Sequence, residues 1–220
     1  TIGTVAYSGT SQNVVNASNT TYTITPSISA ANALGYGYAY TSGTLTVIPA
    51  HLTVSADSLS KVYGEANPAL TASITGFVHG ETLATSGVSG SATLATTAST
   101  YTPVGNVAIT PSLGTLTATN YDFTNFSTGH LTIQQRPITF TASASSKVYG
   151  ETNPTLSYAT ESTSTGRGLV NSDTFTGSLS TSATQFSAVG TYAINSTLAN
   201  SNYAVTYVSA NLDVRPRPIT

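Results

Sequence analysis

Short stretches of alternating apolar and polar residues recur along the chain. Leu52, Val54 and Ala56 are separated by single polar residues, and the stretch 138–142 alternates in the same way. A period of two places successive side chains on opposite faces of a β-strand. The chain is also rich in Tyr, Val, Ile and Thr, which favour strands. We therefore predict a mostly β fold.

Helical periodicity is weak throughout the sequence. The best candidates are two related stretches, 76–83 and 168–175, each long enough for one or two helical turns. Turn signals are stronger, because Asn-Pro pairs end at Pro68 and Pro154. Helix is therefore expected only as a short crossover between strands.

One octapeptide occurs twice. Residues 61–68 read Lys-Val-Tyr-Gly-Glu-Ala-Asn-Pro, and 86 residues later 147–154 differ from them only by Thr in place of Ala. A second series of segments, which close each unit, begins at Leu45, Leu131 and Leu212. Solenoid and propeller repeats run at roughly 20–50 residues, so this longer period indicates small domains in tandem.

The repeat predicts an organisation in four segments, typical of a piece of a longer repetitive protein. Residues 1–47 match the second half of a unit, 48–133 and 134–214 are complete units, and 215–220 match the start of another.

Composition argues against several classes of function. Charged residues make up 6% of the chain and its net charge is −2, so no basic surface is expected to attract nucleic acid. No apolar run approaches the ~18 residues of a membrane-spanning helix. The absence of cysteine excludes disulfides, thiol catalysis and thiolate metal sites. Large surface proteins of Gram-negative bacteria often lack cysteine, which favours an exported protein.

No motif for catalysis or metal binding is recognisable. The histidines, His51, His79 and His130, lack the i, i+4 spacing of a metal-binding helix, and the acidic residues form no calcium-loop pattern. No Gly-x-Ser-x-Gly elbow occurs. We expect that the chain is not an enzyme and needs no metal or cofactor.

The tyrosines of the octapeptide are predicted to be structural. Tyr63 and Tyr149 are expected to be buried rings at a strand end, with stacking on a sugar ring as the alternative. The glycine after each tyrosine is expected to take a positive φ in a tight turn. The predicted structural motif comprises Tyr63, Gly64, Pro68, Tyr149, Gly150 and Pro154.

A second set of tyrosines alternates along two predicted strands, at 36–40 and 203–207. Alternation places each set on one face of a sheet, where the rings either pack or contact a carbohydrate or a protein partner. The candidate contact residues are Tyr36, Tyr38, Tyr40, Tyr203 and Tyr207.

The octapeptide also repeats a lysine with a carboxylate and an amide, as Lys61, Glu65 and Asn67. Some surface fibres use this residue set for an intramolecular isopeptide cross-link, which requires a buried lysine facing an asparagine on a neighbouring strand. Because the three residues lie close together in one segment, we expect a surface ion pair at the turn, with a contribution under about 1 kcal/mol.

The complete pattern resembles a known family. Val-Tyr-Gly-Glu-x-Asn-Pro is followed by Gly-(Phe/Leu)-Val-x-x-(Glu/Asp)-Thr and then by Val-Gly and Asn-Tyr pairs, as in the MBG-type repeats of large bacterial surface adhesins. The resemblance implies small β-grasp-like domains, with immunoglobulin-like sandwiches as the alternative fold. Two departures are an insertion near 162–167 and Asn19-Thr20 where Val104-Gly105 would fall.

The resemblance implies an extracellular protein at the bacterial cell surface. MBG-type modules occur in filamentous-haemagglutinin-like and biofilm-matrix exoproteins, where they form a stalk that spaces a binding tip from the cell. The joints Ile48–Ala50 and Gln134–Pro137 are short and contain proline, so the units are expected to run end to end as a rod. Alternatively, the repeats themselves bind exopolysaccharide, a host or neighbouring-cell surface, or copies of the same chain.

Overall fold

The computed structural model describes residues 5–18, 20–28, 37, 39–163 and 167–219. These residues form β-strands and turns without an α-helix, so the prediction of a mostly β fold is confirmed. The strands are β1 (Val5–Ser8), β2 (Tyr22–Ile28), β3 (Gly43–Leu45), β4 (Ala50–Ala56), β5 (Leu59–Val62), β6 (Ala72–Thr75), β7 (Thr93–Thr96), β8 (Gly105–Ser112), β9 (Tyr121–Ser127), β10 (Gly129–Gln134), β11 (Arg136–Ala142), β12 (Ser145–Val148), β13 (Tyr158–Thr160), β14 (Leu179–Thr181), β15 (Gly190–Ser196), β16 (Tyr203–Val208) and β17 (Asn211–Arg215).

The strands form small sheets whose order repeats along the chain. A three-stranded sheet β6-β4-β9 recurs as β13-β11-β16, and a four-stranded sheet β5-β10-β8-β7 recurs as β12-β17-β15-β14. In each of these two three-stranded sheets the central strand pairs antiparallel with one neighbour and parallel with the other. The remaining sheet, β1-β2-β3, is antiparallel throughout and has the order of β7-β8-β10.

The alternating residues of the sequence face small apolar cores. Leu52 and Val54 in β4 are fully buried, as is Ile138 in β11. In the segment 134–214 a core cluster of Ala142, Ala183, Ile194 and Leu212 gathers residues from β11, β15, β17 and the turn after β14. Burial of these side chains is the main stabilising contribution, at roughly 25 cal/mol per Å² of apolar surface.

The two stretches considered for helix form turns, so that expectation is wrong. His79 and Asn171 occupy equivalent positions and have φ values of 56° and 57°. A residue with a positive φ interrupts a right-handed helix, because every residue of such a helix has a negative φ. The resulting turns place Val78 and Val170 beside the start of β9 and β16.

The joint predicted at Gln134–Pro137 is made of strand. β10 ends at Gln134 and β11 begins at Arg136, so Gln135 alone lies between them. The expectation of a separate linker is therefore wrong here.

The chain forms two compact units whose boundary falls inside the predicted repeat 48–133. One unit comprises Thr1–Asp57, Leu70–Ala95 and Ile109–Gly129, and the other comprises Ser58–Ala69, Thr96–Ala108 and His130–Thr220. The second unit therefore combines β5 and the turn after it with the whole of the segment 134–214. The residues of the described ranges include no helix able to span a membrane.

Candidate functional site

The turn after β5 is buried by residues of the following repeat. Tyr63 is 2% exposed, and its ring lies edge-on to that of Tyr203, with 5.7 Å between the ring centres. Gly64 has a φ of 83°, as predicted, and a Cβ added there would lie 2.7 Å from Val170 Cγ2. Only a glycine therefore lets the following repeat approach this closely.

Arg136 fixes the same contact from the first strand of the following repeat. The side chain is 5% exposed, its Nε donates to the carbonyl of Gly168 at 2.9 Å, and its Nη1 donates to the carbonyl of Tyr63 at 3.4 Å. Its backbone N–H donates to the carbonyl of Asn202 at 3.0 Å. A buried guanidinium that bonds carbonyls of both repeats holds them in one orientation.

Tyr203 connects this contact to an acidic group. Its hydroxyl donates to Asp173 Oδ2 at 2.9 Å and accepts from the N–H of Val170 at 3.0 Å. Burial, followed by the bond to Asp173, raises the pKa of Tyr203 to about 12. Burial and a side-chain bond with Asp173 also raise the pKa of Tyr63. We call the set Tyr63, Gly64, Arg136, Val170, Asp173 and Tyr203 the junction.

A backbone bond extends the junction beyond the aromatic rings. The N–H of Val104 donates to Asn202 Oδ1 at 3.1 Å. An equivalent bond joins Ala17 N–H to Asn120 Oδ1 at 2.9 Å. Ala17 therefore corresponds to Val104 in the structure. The repeat pattern of the sequence had matched Val104 to Asn19, two residues later.

A comparison with protein families identifies the repeats. The model of the MBG domain (YGX type) matches residues 52–132 and 138–213. The chain belongs to the MBG family. No curated protein sequence matches it. The two MBG matches confirm the resemblance drawn from the Tyr-Gly-Glu motif and make this an adhesin-like repeat region. The junction lies between the two MBG repeats, and the Tyr-Gly pair that gives the type its motif forms its centre.

The lysine of each MBG motif is buried, so the expected surface ion pair is wrong. Lys61 Nζ donates to the carbonyls of Glu65 and Ser99 at 3.0 and 2.5 Å, and Lys147 Nζ donates to those of Glu151 and Thr184 at 3.0 and 2.6 Å. Each ammonium thereby ties the motif turn to a distant loop. Burial lowers the pKa of Lys61, while the Glu65 carboxylate acts in the opposite direction.

The asparagine of the motif does not meet the lysine as an isopeptide partner would. Asn67 Nδ2 donates to the carbonyl of Ala98 at 2.7 Å, and Asn153 Nδ2 donates to that of Ala183 at 2.6 Å. Both lysine and asparagine therefore satisfy backbone carbonyls around the turn. Pro68 and Pro154 follow outside the assigned strands and turns.

Tyr149 is 41% exposed, so the expectation of a second buried ring is wrong. Its turn is otherwise like that of Tyr63: Gly150 has a φ of 87°, and Arg217 Nη1 donates to the Tyr149 carbonyl at 3.5 Å. The nearest ring in the described chain is the exposed Phe186, at 6.4 Å. Burial of this tyrosine depends on a covering ring such as Tyr203 provides for Tyr63.

The tyrosines considered for carbohydrate contact have different environments. Tyr36 and Tyr38 lie outside the described residues, and Tyr40 is exposed and outside a strand. Tyr203 belongs to the junction, and Tyr207 is half-buried against Phe140, with its hydroxyl donating to the carbonyl of Ile194. The rings of β16 are therefore engaged within the protein.

One histidine has a carboxylate partner. His51 Nδ1 is 2.7 Å from Asp122 Oδ1 on the neighbouring strand, at the protein surface. Among the described residues no group of three or more His, Cys, Asp or Glu could hold a metal ion.

Proposed function

We propose that this chain is part of the stalk of an extracellular bacterial adhesin, in which MBG repeats set the distance between the cell surface and a binding tip. The stalk would support adhesion between cells or within a biofilm. The repeats themselves serve as spacers in this proposal, and the receptor is bound elsewhere in the protein.

The junction is the observation that supports this role. A flexible tether needs no buried contact between its modules. Here Gln135 alone separates β10 from β11, and Tyr63 is covered by Tyr203 of the next repeat while Arg136 bonds both repeats. Such contacts restrict rotation about the joint, because any rotation must break buried hydrogen bonds. A spacer that holds its length requires this restriction.

Small-angle X-ray scattering of the chain tests the extension. Modules of this size span roughly 30–40 Å each, so an extended array gives a maximum dimension of roughly 80–100 Å and a radius of gyration of roughly 25 Å. Arg136→Ala should broaden the distribution of distances, whereas Arg217→Ala is the matched control and should leave it unchanged. A radius of gyration near 17 Å, the value for a globular chain of this length, would contradict the proposal.

A display experiment tests the spacing function. The chain is placed between an outer-membrane anchor and a tip of known ligand, and capture of ligand-coated beads is measured on encapsulated cells. Two copies of the chain in tandem should raise capture more than doubling a Gly/Ser linker of equal residue number does, because the span of an extended array grows in proportion to its length and that of a flexible coil only with the square root. Equal gains with both inserts would count against a stalk.

A further inference from the structure

A cleft of about 280 Å³ lies within the first MBG repeat and shares no residue with the junction. Its walls come from β6 and the two residues before it, from β7 and the segment before it, and from Leu116 after β8. All of the lining residues belong to one compact unit. Leu83, which lines the cleft, is 52% exposed, so the cleft opens to solvent.

Strand register identifies the equivalent place in the second MBG repeat. Ala56 of β4 pairs with Ala72, which lines the cleft, and Ala142 of β11 pairs with Tyr158. Ala56 and Ala142 occupy the same position of their repeats, 86 residues apart. Tyr158 therefore stands where the first repeat has Ala72.

The second repeat covers this place with aromatic rings. Phe175 occupies the position of Leu83, at the end of the related segment. The rings of Tyr158 and Phe175 lie 6.3 Å apart, and they pack on Phe140 with 5.3 and 5.5 Å between ring centres. The equivalent side chains of the first repeat are an alanine, a leucine and a valine, and none of the described residues that line the cleft is aromatic. The cleft thus corresponds to space that rings occupy in the second repeat.

The chemistry of the walls restricts what can bind there. Seven of the ten lining residues are apolar, and none of the ten, all within the described part of the chain, is charged. A charged ligand would lose hydration without gaining a partner. Thr71 and Ser91 supply one hydroxyl each, so a sugar ring would leave most of its own hydroxyls unpaired.

The volume of the cleft sets the size of the ligand. Apolar cavities of roughly 150 Å³ in proteins hold a benzene molecule. A volume of about 280 Å³ is nearly twice as large, and therefore has room for two fused rings. Ten lining residues are too few for a stable protein interface, which uses about 20–30 residues on each side.

We propose that the cleft is a binding site for a small, neutral aromatic molecule of one or two fused rings. The ligand takes the place that Tyr158 and Phe175 cover in the second repeat and packs against Leu70, Ile74 and Leu116. The site belongs to the first repeat alone and is independent of the spacer role, so a failure of either proposal leaves the other standing.

A titration with indole tests the binding. The chain contains no tryptophan, so the fluorescence of indole can be excited separately from that of the protein. We expect saturable binding of one indole per chain. Methyl glucoside, a sugar of similar size, is the control and should not compete. Absence of saturable indole binding, or displacement of indole by the sugar, would overturn the proposal.

Two tyrosine substitutions on β6 provide a matched pair. Ala72→Tyr places a ring in the cleft, as Tyr158 does in the second repeat, and should weaken indole binding at least tenfold. Ser73→Tyr is the control, because Ser73 is exposed and the alternation of the strand directs its side chain to the other face. Equal binding by the two variants would overturn the proposal.

Nuclear magnetic resonance of the unmodified chain locates the ligand without relying on any variant. Indole should shift the backbone amide signals of residues 70–74 and 90–94. The equivalent residues of the second repeat, 156–160 and 177–181, should keep their signals. Shifts in both repeats alike, or only at residues outside the cleft, would overturn the assignment.

Discussion

The two motif tyrosines have the same local backbone and different surroundings. Tyr63 is 2% exposed under Tyr203, and Tyr149 is 41% exposed. Both precede a glycine with positive φ, and the carbonyl of each accepts a bond from an arginine, Arg136 or Arg217. The contribution of such a residue to stability is therefore decided by the repeat that follows it.

This difference gives a matched pair of substitutions. Tyr63→Ala should cost about 3–5 kcal/mol of the free energy of unfolding, because it leaves a cavity under Tyr203 and Tyr101. Tyr149→Ala should cost about 1 kcal/mol, since most of its contact surface is open. Urea unfolding of the two variants measures both values. Equal losses would show that the second repeat does not bury Tyr63.

The raised pKa of Tyr203 predicts that the free energy of unfolding falls at alkaline pH. Its folded pKa is about 12, whereas an unfolded tyrosine titrates near ~10. Above pH ~10 the unfolded chain has lost this proton and the folded chain retains it, so stability is fully present below pH ~10 and falls as pH rises toward about 12. Tyr203→Phe should be less stable at pH 8, and its deficit should shrink by about 1–2 kcal/mol by pH 12.

Urea midpoints of wild type and Tyr203→Phe at several pH values test this expectation. The buried Lys61 has a lowered pKa and acts in the opposite direction, but it is present in both proteins and cancels in the difference. Tyr7→Phe, at an exposed position of β1, is the control. A deficit independent of pH would contradict the assignment.

At the scale of elements, the tight turn after the motif strand determines how closely two repeats approach. Gly64 and Gly150 have φ values of 83° and 87°, so each would be strained by any side chain. Only Gly64 faces the next repeat, with Val170 Cγ2 2.7 Å from an added Cβ. At Gly150 the added Cβ meets Arg217 Nη1 at 3.2 Å, the end of a flexible side chain. A side chain would thus strain the backbone at both glycines, but only at Gly64 would it also collide with the next repeat.

Substitution of Gly64 and Gly150 tests the role of the turn after the motif strand. Gly64→Ala and Gly150→Ala should each lose about 1–2 kcal/mol through the left-handed backbone. Gly64→Ala should lose about 1–3 kcal/mol more, because the added methyl overpacks against Val170. Thermal unfolding of the two variants checks the difference. Equal melting temperatures would argue that Val170 is not held against the turn.

At the scale of the whole molecule, stability is expected to come from strand pairing and small cores without bound ions. The eight acidic residues are scattered along the chain, whereas a calcium site needs about six to eight oxygen ligands. Melting temperatures in excess chelator and in millimolar Ca²⁺ should therefore agree within about 1 °C. A rise of many degrees with Ca²⁺ would reveal an ion site.

The sequence predicted much of this fold and missed the junction for physical reasons. Alternation located β4 and β11, because local periodicity reports which face of a strand is buried. The burial of Tyr149 was predicted wrongly, because burial depends on residues far along the chain. Arg136 falls in the predicted joint 134–137 because the neighbouring Pro137 indicates a break between units, and its recurrence as Arg217 beside Pro218 does not by itself predict burial.

Consecutive MBG repeats are expected to be energetically coupled through the junction. A double-mutant cycle in the intact chain measures this coupling directly, with Tyr63→Ala, Tyr203→Ala and the double variant compared by urea unfolding, because the two rings are in contact across the junction. The matched cycle uses Tyr149→Ala and Phe186→Ala, two exposed rings 6.4 Å apart. We expect a coupling free energy of about 1 kcal/mol or more at the junction and additivity within about 0.5 kcal/mol at the matched pair. Additive losses at both pairs would contradict the account.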